Sequence, residues 1–154
     1  MDILSRGGVR VGSRLAERIR ESGEEVLAAW EAGVRTLASA ARAPAPALLD
    51  RVPQLLGWLA DRLDHGGAPE EERDAFGHHH ALERLAQGFD LVEVVAELGL
   101  LRECLLDAWV AAPDGVAPAD VRLMEVELDH VVALVVLRFV RERAAGGAAA
   151  SAGA

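Results

Sequence analysis

Lysine, asparagine and tyrosine are absent from this chain of 154 residues, and cysteine occurs once. All 16 basic residues are therefore arginine, a bias that reads as the codon usage of a GC-rich genome and says little about mechanism. The single Cys104 excludes an internal disulfide and fits a reducing cytoplasm, with the thiol serving as a small core filler. Aromatics make up only 4% of the residues, too few to line a recognisable heme pocket. Positive charge is also scarce, because 25 acidic residues leave a net charge of −9. That balance excludes the concentrated basic surface that phosphate backbones require, and it disfavours anionic membranes. Long apolar runs are missing as well. The longest, 131–137, falls far short of the roughly 20 residues that span a bilayer, and no apolar stretch near the start suggests a signal peptide. A soluble, cytoplasmic domain is expected.

What is present is helical periodicity. Ser13 is placed to cap a short helix through Glu21, and Ser22-Gly23-Glu24-Glu25 offers a capping box for a helix to about Arg42. Val26, Leu27, Trp30, Val34 and Leu37 give that helix its apolar face. Pro44 and Pro46 break the pattern, since proline lacks an amide donor and biases its predecessor away from helix. One further helix is expected to carry Leu48, Leu49, Val52, Leu55, Leu56, Leu59 and Leu63, ending near His65-Gly66-Gly67. Pro69 with Glu70, Glu71 and Glu72 starts another that runs to Gln87, its acids facing the positive end of the helix dipole.

The organising stretch is 80–109. Gly88 suits a helix C-terminus because it takes a left-handed backbone without steric cost, and Asp90 with Glu93 forms a capping box for the next helix. On that helix Leu91, Val94, Val95, Leu98, Leu101, Leu105 and Trp109 share one side, while Glu93, Glu97, Glu103 and Asp107 share the other. Arg102 projects near the middle of the apolar stripe, where an unpaired guanidinium would be costly, so it requires a carboxylate, carbonyls, water or an anion. Ala112-Pro113-Asp114-Gly115 forms a turn, and Pro118 with Asp120 opens a last helix to about Arg143. Its seam is Val121, Met124, Leu128, Val131, Val132, Val135 and Phe139. A second apolar side, with Leu134, Val136, Leu137 and Val140, calls for another helix over it, and a parallel homodimer is the expected source. Residues 1–12 read as a loose lead-in, 13–143 as the domain, and 144–154 as a flexible Ala/Gly linker.

The sequence His80-Ala-Leu-Glu-Arg84, then Gln87-Gly88-Phe89-Asp90-Leu91, Glu93, Leu100-Leu101-Arg102-Glu103 and Trp109 resembles the RsbRD-type N-terminal domain. That family stands at the front of bacterial stress-signalling regulators, sensor histidine kinases and some transcription regulators. The specific likeness covers about thirty residues. It implies a non-catalytic input module without a cofactor, which works as a dimer and acts on an effector or kinase domain or a partner protein.

Candidate sites are weighed against structural roles. His78, His79 and His80 cannot converge on one metal ion, because neighbours on a helix point about 100° apart. His80 and Arg84 sit one turn apart and share a strip with Gln87. They form either a clasp onto Glu93 or Glu97 across the elbow, or, with Arg102, the polar lining of a pocket for a small ligand. A histidine phosphotransfer role for His80 is an alternative, although Arg84 stands where such motifs keep a small residue and Glu83 where they keep lysine. A heme-binding, globin-like sensor with His130 or His79 as axial ligand is the other. The expectation is an all-α bundle of about six segments, possibly globin-like and without a sheet. Its reading is a non-catalytic sensory and dimerisation domain that signals by helix repacking.

Overall fold

The computed structural model describes residues 12–65, 68–111 and 115–153. Among these the secondary structure is all-α, without a strand: α1 (Arg14–Glu21), α2 (Gly23–Val34), α3 (Ala45–Leu49), α4 (Val52–His65), α5 (Glu70–Ala86), α6 (Leu91–Val110) and α7 (Pro118–Ala152). Apart from Gly12, the expected lead-in lies outside the described residues, as do Gly66, Gly67 and 112–114 of the expected stop and turn. No described helix is long and apolar enough to cross a membrane.

Side-chain caps hold the starts of α1 and α6, whereas α2, α3, α5 and α7 begin without one. Ser13 accepts a hydrogen bond from the Ala16 amide at the head of α1, and its hydroxyl donates to Asp120 at the head of α7. The capping box expected at Ser22 does not form. The two helices run on with only Ser22 between them, and its side chain makes no capping bond.

Two helices are shorter than their periodicity suggests. α2 stops at Val34 rather than Arg42, although 35–42 is rich in good helix formers. Tertiary bonds win: Glu93 accepts from both the amide and the hydroxyl of Ser39, and Arg35 donates to the Ala43 carbonyl. The expected helix over 48–63 is likewise broken, at Asp50, whose φ of +44° lies in the left-handed half of the map. With ψ −118° it also lies outside the αL well that Asp and Asn tolerate, so this backbone is strained for a residue with a Cβ.

α7 shows the opposite departure. The expected linker from 144 onward is helical to Ala152, so the helix has 35 residues and a length of about 52 Å. Alanine has the highest helix propensity and carries the rod through Gly146 and Gly147.

Packing joins α1 to α4 and α6, α2 to α6, and α7 chiefly to α5, then to α6 and α4. Trp30, Leu15, Leu48, Leu59, Leu101, Leu105, Met124 and Phe139 fill the centre. Gly77 lets α5 approach α7 closely, because a Cβ there would stand 3.0 Å from the Leu134 Cβ. Leu134 is thus partly covered within this chain instead of being left for a second subunit. Val136 is half-buried, and Leu137 and Val140 are each 47% exposed.

Candidate functional site

The elbow between α5 and α6 positions the polar interior. Ala86 ends α5 and Gln87 is its C-cap, Gly88 turns the chain with φ +82°, the Gly88 amide bonds the Leu85 carbonyl and the Phe89 amide bonds the Arg84 carbonyl. These two bonds make a Schellman motif, and only a residue at ease with positive φ allows it. Two residues on, the Asp90 carboxylate accepts from the Glu93 amide while Glu93 reaches back to the Asp90 amide, which completes the expected capping box. The reversal leaves the last turns of α5 facing the first turns of α6.

Across that junction Arg84, His80 and Glu97 meet, all completely buried. The Arg84 Nε–H lies 2.9 Å from both Glu97 carboxylate oxygens, and His80 Nε2 lies 2.7 Å from Glu97 Oε1. Arg84 Nη2 donates to the Leu48 carbonyl at 2.6 Å, and Nη1 donates to Gln87 Oε1 at 2.9 Å and to the Ala47 carbonyl at 3.3 Å. The guanidinium therefore ties the end of α3 to the elbow, satisfying carbonyls that the break at Asp50 would otherwise strand. Phe89 lies over the guanidinium at 5.1 Å, and Phe76 stacks on His80 with centroids 5.0 Å apart. The Trp30 indole donates to the backbone carbonyl of Glu97 at 2.9 Å, which adds α2.

Asp50 closes the other side. His79 Nε2 is 2.9 Å from Asp50 Oδ1, and His80 Nδ1 faces Asp50 Oδ2 at 3.8 Å. His80 thus bonds a carboxylate at Nε2 and at Nδ1 faces a second one across a gap too long for a hydrogen bond, which leaves Nδ1 and Asp50 Oδ2 buried without a hydrogen-bond partner among the described residues. A neutral imidazole would turn a lone pair toward one of them, whereas the imidazolium presents a proton to both. Burial alone pushes His80 toward its neutral form, but the Glu97 charge and the contacts with Asp50 and Glu97 outweigh it and raise its pKa. Burial would likewise raise the Asp50 carboxyl, yet the His80 and His79 rings hold it well below the usual carboxylate range. With His80 charged, two cations balance two anions.

No family model, curated protein or solved structure matches this chain. Roles are therefore assigned from the side chains themselves. Of the expected cluster, the structure brings His80, Arg84, Gln87 and Glu97 together; Glu93 serves Ser39 and the cap instead. Glu97 is on the core side of α6, contrary to its expected place on the polar side, because it shares the buried phase of Val94, Leu98, Leu101 and Leu105.

Arg102 does not join them. Its side chain is 31% exposed, with Nε 3.3 Å from Glu125 Oε2 and Nη2 bonded to Asp129, so it staples α6 to α7 at the surface. Counting the exposed Val95 and the half-buried Leu91 and Trp109 in the apolar stripe drew the stripe's middle toward Arg102; the fully buried Val94, Leu98, Leu101 and Leu105 centre about 70° away at 100° per residue. His78 is exposed, and no group of three or more metal-ligating side chains occurs among the described residues. Of the two histidines considered for heme, His79 is engaged by Asp50 and His130 stands on the surface of α7 beside Arg73.

A second buried ion cluster escaped the sequence reading. Glu127 on α7 accepts from Arg62 of α4 at 3.0 Å and from Arg73 of α5 at 2.9 Å, and Arg73 also bonds Asp74. Burial favours the neutral acid, but the two guanidinium groups prevail and lower the Glu127 pKa. The signal was legible in principle: Glu127 is three residues after Met124 and four before Val131, in the phase of the buried seam.

Proposed function

We propose that this chain is a non-catalytic regulatory and dimerisation domain of a bacterial signal-transduction protein, acting in the cytoplasm in a stress-response or two-component pathway. The RsbRD-type resemblance around the elbow supports the signalling assignment. The non-catalytic part is supported by the interior chemistry: His80, Arg84 and Glu97 are each engaged by protein partners and shielded from solvent, which suits architecture better than turnover. The same burial speaks against phosphotransfer, because an incoming aspartyl phosphate has no path to His80.

The observation that carries the reading is the second face of α7. Its core side buries Met124, Leu128, Val131, Val135 and Phe139, while Val126, Ala133, Leu137, Val140, Ala144 and Gly147 are exposed. Those exposed positions follow one another at intervals of seven, four, three, four and three, the spacing of a coiled-coil seam. Two copies of α7 packed in parallel would cover Leu137 and Val140, with Val136 and the free side of Leu134 at the flank. A change in the packing of α5 on α7 would then travel along the rod to an effector or kinase domain or to a partner protein. The test is light scattering across concentration. A mass twice the 16.3 kDa chain, lowered toward one chain by Leu137→Glu, is expected. A single-chain mass at every concentration removes the dimer and the mechanism built on it.

A further inference from the structure

The segment 35–51 is strapped to the α5–α6 elbow chiefly by polar ties. Of its side chains only Ala40 and Leu48 are buried. Ser39 donates its amide and hydroxyl to Glu93, the Ala47 carbonyl accepts from Arg84 and Gln87, and the Leu48 carbonyl accepts from Arg84. With five residues, α3 is too short to persist without those ties. Its far end is Asp50, whose strained backbone is held by the side-chain hydrogen bond with His79 and by the charge of His80 at 3.8 Å. Asp50 Oδ2 and His80 Nδ1 are both buried and lack a hydrogen-bond partner among the described residues. Charge alone acts across that gap.

The asymmetry at the two ring nitrogens decides which proton matters. When the imidazolium loses one, the proton on Nε2 stays in its 2.7 Å bond to Glu97, and the proton on Nδ1, which makes no bond, leaves. Asp50 then faces a lone pair, and its buried Oδ2 has neither a donor nor a counter-charge on that side. We propose that α3 and Asp50 form a latch that opens locally, ahead of the rest of the domain, once His80 gives up the proton facing Asp50. Opening relieves the Asp50 backbone and bares the Arg84 guanidinium at the elbow. The charged groups around His80 are Glu97 from α6, Asp50 from the end of α3 and Arg84 from one turn along α5, while His79 meets Asp50 from the same helix and Arg51 is exposed. Burial and Arg84 favour loss of the proton; the two carboxylates oppose it and prevail. The latch therefore holds below about pH 6.5 and opens as pH rises through the folded value. Calling alkaline pH the domain's input rests on the regulatory reading; the opening does not.

The experiment is amide hydrogen exchange of the full chain from about pH 6 to about pH 9, expressed as protection once the chemical rate at each pH is divided out. The amides of Leu48 and Asp50, which donate to the Pro44 and Pro46 carbonyls, report the latch, and those in the middle of α6 report global opening. Leu48 and Asp50 should be less protected than α6 throughout and should lose about tenfold or more across the range, the scale of one charge-assisted contact. They should also respond little to dilute urea, which speeds openings in proportion to the surface they expose. Protection equal to that of α6, equal urea sensitivity, or protection that does not fall with pH overturns the proposal. His80→Gln should leave the latch loose at every pH. His79→Gln, at a half-buried position, should lower protection but keep its fall with pH; a fall that vanishes in this variant makes His79 the trigger and overturns the assignment to His80. Local opening in a chain that scatters as a monomer sustains the latch and removes only the dimer.

Discussion

Replacing Glu97 by Gln keeps the shape of the side chain and deletes the charge on which the interior closes. Arg84 cannot release its proton, so Glu97→Gln leaves a guanidinium with no exposed surface facing a neutral amide, and His80 loses the charge that favours its cation. Gln retains one carbonyl acceptor where the carboxylate served both Arg84 and His80. Breaking one partner of a buried ion pair costs about 3–5 kcal/mol. For a domain of this length that lowers the melting temperature by roughly 6–20 °C. Urea and thermal melts at pH 7 followed by circular dichroism measure it. A cycle with Arg84→Met separates the pair from the cavity: the double variant Arg84→Met/Glu97→Leu should cost less than the two single changes added, by about 1–3 kcal/mol. A loss below about 1 kcal/mol for Glu97→Gln, the scale of exposed pairs, would refute the reasoning.

Further outcomes follow from the same contacts. Because His80 is raised above its ordinary value, its contribution to stability is complete below about pH 6.5 and is lost as pH rises through its folded value. Asp50 and Glu127 are depressed, so theirs is present above about pH 4.5 and is lost as pH falls through their folded values. Urea unfolding across pH should therefore show greatest stability between these limits, and His80→Gln should remove the decline on the alkaline side; an unchanged alkaline limb contradicts the assignment. Gly88→Ala, at φ +82°, should cost about 1–2 kcal/mol in the same melts, and a neutral result would mean the elbow does not hold its left-handed turn. Asp50→Asn keeps the size and shape of the side chain but gives up the charge facing two histidines, and a loss of about 1–3 kcal/mol is expected. Gly77→Val drives a side chain against Leu134 and should destabilise by about 1–3 kcal/mol, measured by thermal melts.

The parts legible in the sequence are those decided by neighbours in the chain. Gly88, Asp90 and Glu93 specify the elbow locally, and the structure repeats it bond for bond. One-turn spacing of His80 and Arg84 pointed to a carboxylate across the elbow, but left Glu93 and Glu97, and a clasp and a pocket, as alternatives; the contacts fall on Glu97. What was not legible depends on remote partners. The helix-prone residues 35–42 turn away because Ser39 finds Glu93, a choice invisible to propensity. Asp50 breaks a leucine-rich helix because histidines thirty residues later hold its carboxylate. Glu97 and Glu127 occupy core phases, and periodicity alone reads a carboxylate as a surface residue. Arg102 was misplaced by counting one exposed valine and the half-buried Leu91 and Trp109 among the buried side chains.

The protonation state of His80 tests most directly the claim that a balanced, sealed set of charges holds α3, α5 and α6 together. Long-range proton–nitrogen correlation spectra of the imidazole at pH 7 read it without perturbing the fold. The account predicts a proton on both ring nitrogens, Nε2 directed to Glu97 and Nδ1 to Asp50. A neutral ring, with one nitrogen bare at that pH, would contradict it.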